Sequence, residues 1–351
     1  MNVKTVLSSF AVLSLTACGL GGGTPDMLEE DTVILGVNYV GITVTDLDAA
    51  EALYNDAVEA ETVNQDPIPM DGVFADLTGR SEGEVQTRLM RRTNSQFRLM
   101  QFPDRPAAVT DLPAVPVEGP GIAHICFQVA DETDAYARFL AAGTAAIGDP
   151  ELVQLRSSNP VRYGYVLDAD AIVTEIEQID ISKLDLPTPP RNLHRMRHVS
   201  FATPDLNRLK DFYSFFLGGQ KPRHVGRVMK VSGDAIDRVS GLEGSKIEMA
   251  WLQLRNLEIE IFQYHSHPTN IPEQPRPVDA VGYNMIVFHV SDIEAARARV
   301  LDAGGTVITE PSPLDGGMIQ FARDPDGNLI GLQTLPDASV FSAANFPDNG
   351  T

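Results

Sequence analysis

Four times along its length the chain repeats one pattern: a short alternating strand, a hydroxyl or acidic cap, and an amphipathic helix. The copies begin at Gly36 (GVNYVGITVTDLDAAEALYNDA), Gly121 (GIAHICFQVADETDAYARFLAAG), Arg197 (RHVSFATPDLNRLKDFYSFFLGG) and Gly282 (GYNMIVFHVSDIEAARARVLDAGG). A repeat of this kind constrains the fold more than any local propensity, because each unit must bury the same faces against similar neighbours. The third copy shows the logic. Val199 and Phe201 alternate with His198, Ser200 and Ala202, as in a strand with two unlike faces. Thr203-Pro204-Asp205 caps a helix. Leu206, Leu209, Phe212, Tyr213 and Phe216 form its apolar stripe, and Gly218-Gly219 ends it.

Each copy closes with a further strand: Gln96–Phe102, Ile172–Ile179, Leu257–Tyr264 and 324–333, the last after the turn Asp324-Pro325-Asp326-Gly327. Each unit therefore reads as βαβββ, and the fold class as α+β. Aligning the copies on His198 places Tyr39, His124, His198 and Met285 at one first-strand position. Aligning the closing strands on Glu260 places Arg98, Glu175, Glu260 and Gly331 at one position there. The spans within copies alternate long and short, which suggests a duplicated two-unit module. Residues 35–180 and 194–336 form the two halves. The Pro-rich stretch 181–193 links them, and 337–351 is an irregular or loosely docked tail.

Residues 1–18 read as a targeting segment. Lys4 supplies a positive start, and the apolar run Val6–Leu15 is too short to span a bilayer. Leu15-Thr16-Ala17-Cys18 resembles a bacterial lipobox, which implies cleavage before Cys18 and a lipid on that cysteine. Residues 19–34 then form a flexible tether. With Gly19 after the cysteine, the resemblance implies an outer-membrane lipoprotein facing the periplasm. Only Cys18 and Cys126 are present, so a lipidated Cys18 leaves no intramolecular disulfide. The net charge of −21 argues against a nucleic-acid partner and against electrostatic docking on anionic lipid, leaving the N-terminal lipid as the membrane contact.

The βαβββ unit with a first-strand His and a closing-strand Glu resembles the vicinal oxygen chelate superfamily, which includes glyoxalase I, extradiol dioxygenases and bleomycin-resistance proteins. The resemblance implies two cupped mixed sheets built from four βαβββ modules, with one divalent metal (Zn, Fe, Ni or Mn) held by a ligand pair from each of two modules. Modules two and three carry the pairs His124 with Glu175 and His198 with Glu260. Modules one and four carry Tyr39 with Arg98 and Met285 with Gly331. Pairing one-with-two and three-with-four leaves two ligands per sheet. Pairing two-with-three and one-with-four collects all four ligands in one site and leaves the other empty. The clean sorting of ligands favours the second arrangement.

The implied function is a metal-dependent isomerase, lyase or dioxygenase acting on a small oxygen-bearing substrate, with Glu175 or Glu260 as general base. The alternative is a non-catalytic binding lipoprotein of the bleomycin-resistance type. Glyoxalase I itself sits poorly with an exported chain, because its glutathione adduct is cytoplasmic. The loops Asp104–Pro120 and Gln220–Ser245 would shape the pocket, and Arg223, Arg227 and Lys230 could meet an anionic substrate. Cys126, on the strand face of His124, reads as a buried free thiol. Taken alone, Glu175 and Glu260 look like solvated strand residues, since Glu177 and Glu258 flank them on the same face, and the remaining histidines read as surface or supporting groups. A monomer satisfies this scheme, with the small-molecule substrate as partner.

Overall fold

The computed structural model describes residues 32–183 and 194–350. The targeting segment with Cys18, all but the last residues of the tether, and 184–193 of the linker lie outside the described residues.

The first strands of the modules are Ile34–Thr43, Gly121–Ala130, His194–Ala202 and Gly282–Val290. Helices follow at Leu47–Val58, Ala135–Ala141, Leu206–Phe216 and Ile293–Asp302. Three of them start on an aspartate whose side chain accepts a backbone N–H of the first turn: Asp46 from Ala49, Asp205 from Arg208, and Asp292 from Ala295. The second-module helix lacks such a cap and is shorter. In the third helix the buried residues are Leu206, Leu209, Phe212, Tyr213 and Phe216, the stripe expected from the spacing. Gly218 and Gly219 both take positive φ beyond its end.

Two ten-stranded mixed sheets result. Along its main path, one runs Thr306–Val307, Gly317–Arg323, Leu329–Thr334, Gly282–Val290, Ile34–Thr43, Gln96–Gln101, Glu84–Arg91, Glu61–Asn64. The other runs Arg223–Val225, Lys246–Gln253, Glu258–Tyr264, His194–Ala202, Gly121–Ala130, Val173–Ile179, Val161–Leu167, Ala145–Ile147. Modules one and four therefore share one sheet, and modules two and three the other. Each sequence half contributes one module to each sheet.

The register repeats across all four modules. The residue two beyond the aligned first-strand position lies beside the aligned closing-strand residue: Gly41 beside Arg98, Cys126 beside Glu175, Ser200 beside Glu260, and Val287 beside Gly331. The first strands meet antiparallel at each sheet centre, with His124 opposite Ser200 and Met285 opposite Gly41. Equivalent sequence positions thus occupy equivalent places.

The halves cohere through their helical sides. Tyr54 of module one contacts Phe127 and Phe139 of module two, both at 6.1 Å between ring centroids, and Phe216 of module three meets Phe288 of module four at 5.0 Å. One apolar core draws on all four modules, and each concave sheet face carries a smaller one. The tail is irregular but firmly docked, contrary to the loose docking its sequence suggests. Ser342, Ala343 and Phe346 are buried. The Ala343 N–H donates to Asn38 Oδ1 at 2.8 Å, and Arg255 donates to the Ala343 carbonyl at 2.8 Å. Backbone polar groups tied to two modules hold this segment where periodicity gives no sign of it.

Candidate metal centre

Strand alternation decides which side chains meet. Successive residues of a strand face opposite sides. With Cys126 beside Glu175 and Ser200 beside Glu260, the side chains of His124, Glu175, His198 and Glu260 all emerge on the concave face. One ligand atom from each lies within 4.8 Å of every other, and all four residues are buried. His198 Nε2 stands 2.9 Å from Glu175 Oε2 and 2.8 Å from Glu260 Oε2. His124 Nε2 stands 3.3 Å from Glu175 Oε2 and 3.8 Å from Glu260 Oε2.

The polar atoms are incompletely satisfied. Neither ring nitrogen of His124 has a hydrogen-bond partner among the described residues, and Glu260 Oε2, though close to His198, lacks an aligned one. Buried polar atoms left so cost stability unless something else engages them. Two imidazoles and two carboxylates are the donor set that zinc, iron, nickel or manganese accepts. The residues present therefore fit a divalent metal.

Charge pairing is strong here. Burial pushes the Glu175 carboxyl up, but the imidazoles of His124 and His198 outweigh it and hold the carboxyl well below the ordinary range. Burial lowers the basicity of His198, and the carboxylates of Glu260 and Glu175 more than offset this, carrying its imidazole up to about 10.

A layer of charge lies beside the four. The register slips between Met196 and His198, and Arg197 is the extra residue of that bulge. Its guanidinium pairs with Glu177 and lies 3.2 Å from Glu258 Oε2. Glu177 is thus buried and ion-paired instead of solvated; Glu258 is mostly buried. The slip has no signature in the alternating pattern, so the sequence gives no warning that Arg197 joins this face. Cys126 is a free, buried cysteine, and burial and nearby Glu175 push its thiol well up. His194 and His289 are buried too, which their off-register positions did not suggest.

A cavity of about 350 Å³ stands over Glu175 and Glu260. Tyr165, Trp251, Phe262 and Tyr264 line it, and the short helix Asp234–Ser240 covers it. The Gln220–Ser245 region thus shapes the pocket; Leu155 and Arg156 of module two line it, where the stretch Asp104–Pro120 was expected to contribute. Arg223 lies over the Trp251 ring at 3.8 Å, and Lys230 is paired with Glu248.

The same positions in the other sheet form a different centre. Arg98, buried, pairs with Asp315 at 2.8 and 3.0 Å and lies 4.9 Å from the Phe341 ring centroid and 5.6 Å from that of Tyr39. Arg98 thus meets an internal acid.

The chain belongs to the Glyoxalase/Bleomycin resistance protein/Dioxygenase superfamily, whose family model matches residues 36–153 and 195–332. Glyoxalase I from Zea mays superposes with a TM-score of 0.57 at 17% identity, over 89% of this chain and 93% of that one. A putative dioxygenase from Bacillus subtilis does so with a TM-score of 0.57 at 10% identity, over 92% of each chain. At these identities the likeness is one of fold. A probable lactoylglutathione lyase from Vibrio cholerae serotype O1 is 44% identical over 52 residues, a match that spans 14% of this chain and 38% of that relative.

Proposed function

We propose that this chain is a divalent-metal-dependent enzyme of the vicinal oxygen chelate type, acting on a small oxygen-bearing substrate by isomerase or lyase chemistry. The observation that carries this reading is the convergence of four buried ligand atoms, two of them on the carboxylates that line the cavity, with neither nitrogen of His124 in a hydrogen bond among the described residues. His124, Glu175, His198 and Glu260 would hold the metal. A divalent cation bound there polarises neighbouring substrate oxygens and stabilises the charge that develops on them.

The chain's own residues do the rest. Four strands fix the ligands, so little reorganisation accompanies binding. The two carboxylates differ in freedom. Glu175 faces both imidazoles, at 2.9 and 3.3 Å, whereas Glu260 approaches His198 alone at 2.8 Å and stands 3.8 Å from His124. Glu260 is therefore the residue we assign to accept the proton from a substrate carbon, with Glu175 held in place. The apolar cavity wall keeps water from competing for the site. The names of the relatives, glyoxalase I and lactoylglutathione lyase, accord with proton-transfer chemistry.

We further propose export and lipid anchoring through Cys18 to the outer membrane, facing the periplasm, on the strength of Leu15-Thr16-Ala17-Cys18. Lipid labelling of the intact chain that vanishes in Cys18→Ser supports this; labelling that persists contradicts it. Elemental mass spectrometry on the chain from Thr24 onward, purified without a metal-affinity tag, tests the enzyme reading. About one metal per chain is expected, lost in both His124→Ala and His198→Ala. No metal after incubation with zinc, iron, nickel and manganese would overturn it.

A further inference from the structure

Resting on the metal-centre reading, we propose that the substrate carries a compact apolar body of aromatic size beside its paired oxygens, with an acceptor for the Trp251 indole, and is not a conjugate of a charged tripeptide such as glutathione. The cavity wall supports the first part. Trp251, Tyr165, Phe262, Tyr264, Met249 and Ile247 line it, and the covering helix adds Ala235, Ile236 and Val239. At about 350 Å³ the space lies at the small end of ligand cavities, which run from roughly 300 to 1,000 Å³.

Trp251 supplies the second part. It is 3% exposed, it lines the cavity, and its indole N–H has no hydrogen-bond partner among the described residues. Buried indole donors ordinarily find an acceptor. A substrate oxygen seated against the wall would meet that need. Arg223, lying over the ring at 3.8 Å, helps hold the indole in place.

Charge supplies the third part. Of the carboxylates that line the cavity, Glu175 and Glu260 belong to the metal-holding set and Glu177 pairs with Arg197, which leaves Asp234; Arg156 is the one lining cation among the described residues. Lys230, next in sequence to the lining residue Val231, is engaged by Glu248, as are His224 and His265. A glutathione body carries two carboxylates and one ammonium. Placed here, its two carboxylates would lose water against a largely apolar wall with one lining cation, Arg156, to meet them, a penalty that selects against such a ligand.

Two hydroxamates that share one oxygen-chelating group and differ in their tails test this. One is benzohydroxamate; the other carries its hydroxamate on the sulfur of glutathione. Each is titrated calorimetrically into the zinc-reconstituted chain. The expected result is that benzohydroxamate binds at least tenfold more tightly. Trp251→Phe, which keeps the bulk and removes the donor, should weaken benzohydroxamate about fivefold, in line with one lost hydrogen bond, and leave metal content unchanged. Equal or tighter binding of the glutathionyl probe to metal-bearing protein overturns the inference alone, as does an unchanged benzohydroxamate affinity in Trp251→Phe. Absence of bound metal in the same sample overturns the proposed function, and this inference with it.

Discussion

The two sheets have the same topology and register at their centres, yet one gathers His124, Glu175, His198 and Glu260 while the other gathers Tyr39, Arg98, Met285 and Gly331. Among the described residues the first centre leaves both His124 nitrogens, His198 Nδ1 and Glu260 Oε2 buried without a hydrogen bond, the second Arg98 Nε alone of its four. The second brings its own counter-charge: Asp315 takes a left-handed φ of +55° and meets Arg98, and it also accepts from Gln333 Nε2 at 3.2 Å. The space a fourth ligand would need is filled there. A Cβ on Gly331 would sit 3.1 to 3.2 Å from Ile319, Val287 and Phe321. A concave sheet centre in this fold thus has two stable solutions. One sets Glu175 and Glu260 against a cavity of about 350 Å³ with their histidine partners beside them; the other joins Arg98 to Asp315 in an internal ion pair that itself lines a cavity of about 870 Å³.

The comparison breaks most visibly at the proton acceptor. With 2-hydroxyacetophenone as probe, solvent-deuterium exchange at its hydroxymethyl carbon should fall about 10²–10⁴-fold in Glu260→Gln, the range for loss of a general base. The substitution Arg98→Ala should leave exchange untouched; a matching fall in that variant would show that the second centre takes part in the chemistry.

Stability should respond in the opposite place. Arg98→Ala strands a buried Asp315 carboxylate, whose side chain is 4% exposed, and should cost about 3–5 kcal/mol in urea unfolding. The pair Arg98→Met with Asp315→Asn should recover most of that loss, because no uncompensated charge remains. A single-variant cost under about 1 kcal/mol would mean that the pair behaves as a surface contact.

A smaller effect is expected of Gly331→Ala. Its new methyl group would press on three apolar side chains and should cost about 1–3 kcal/mol by overpacking, read as a lowered urea midpoint. A neutral result would show that the second centre retains spare room.

The smallest effect is a slope. In the metal-free chain His198 holds its proton up to about pH 10, because its two carboxylate neighbours favour the charged imidazole. A metal must displace that proton, so rising pH removes the competitor and strengthens binding. Metal affinity measured by chelator competition between pH 6 and 8 should rise about tenfold per pH unit. A flat profile would remove His198 from the ligand set.

Much of this arrangement is legible in the sequence because it depends on short-range periodicity. Alternation places His124 and His198 on one strand face, and helical spacing marks Leu206 through Phe216 as a buried stripe. The sorting of His and Glu into modules two and three points to the sheet those modules share. What stays hidden depends on long-range contact. Asp315 sits in a turn 217 residues from Arg98, and nothing local marks it as a counter-ion. Arg197 enters through a bulge that no alternation rule foresees. Glu177 resembles a solvated strand residue until that arginine and the covering helix bury it. The tail is held by backbone groups of Phe341 and Ala343 on Gln96, Asn38 and Arg255, and such groups leave no imprint on side-chain pattern.

The most direct test of the difference between the two centres is anomalous diffraction from crystals of the manganese- or zinc-loaded chain. The account predicts one strong peak per chain, at about 2.0–2.2 Å from the nearest ligand atoms of His124, Glu175, His198 and Glu260, with no peak beside Arg98. A peak at the Arg98–Asp315 centre, or a metal bound away from the four residues, would contradict it.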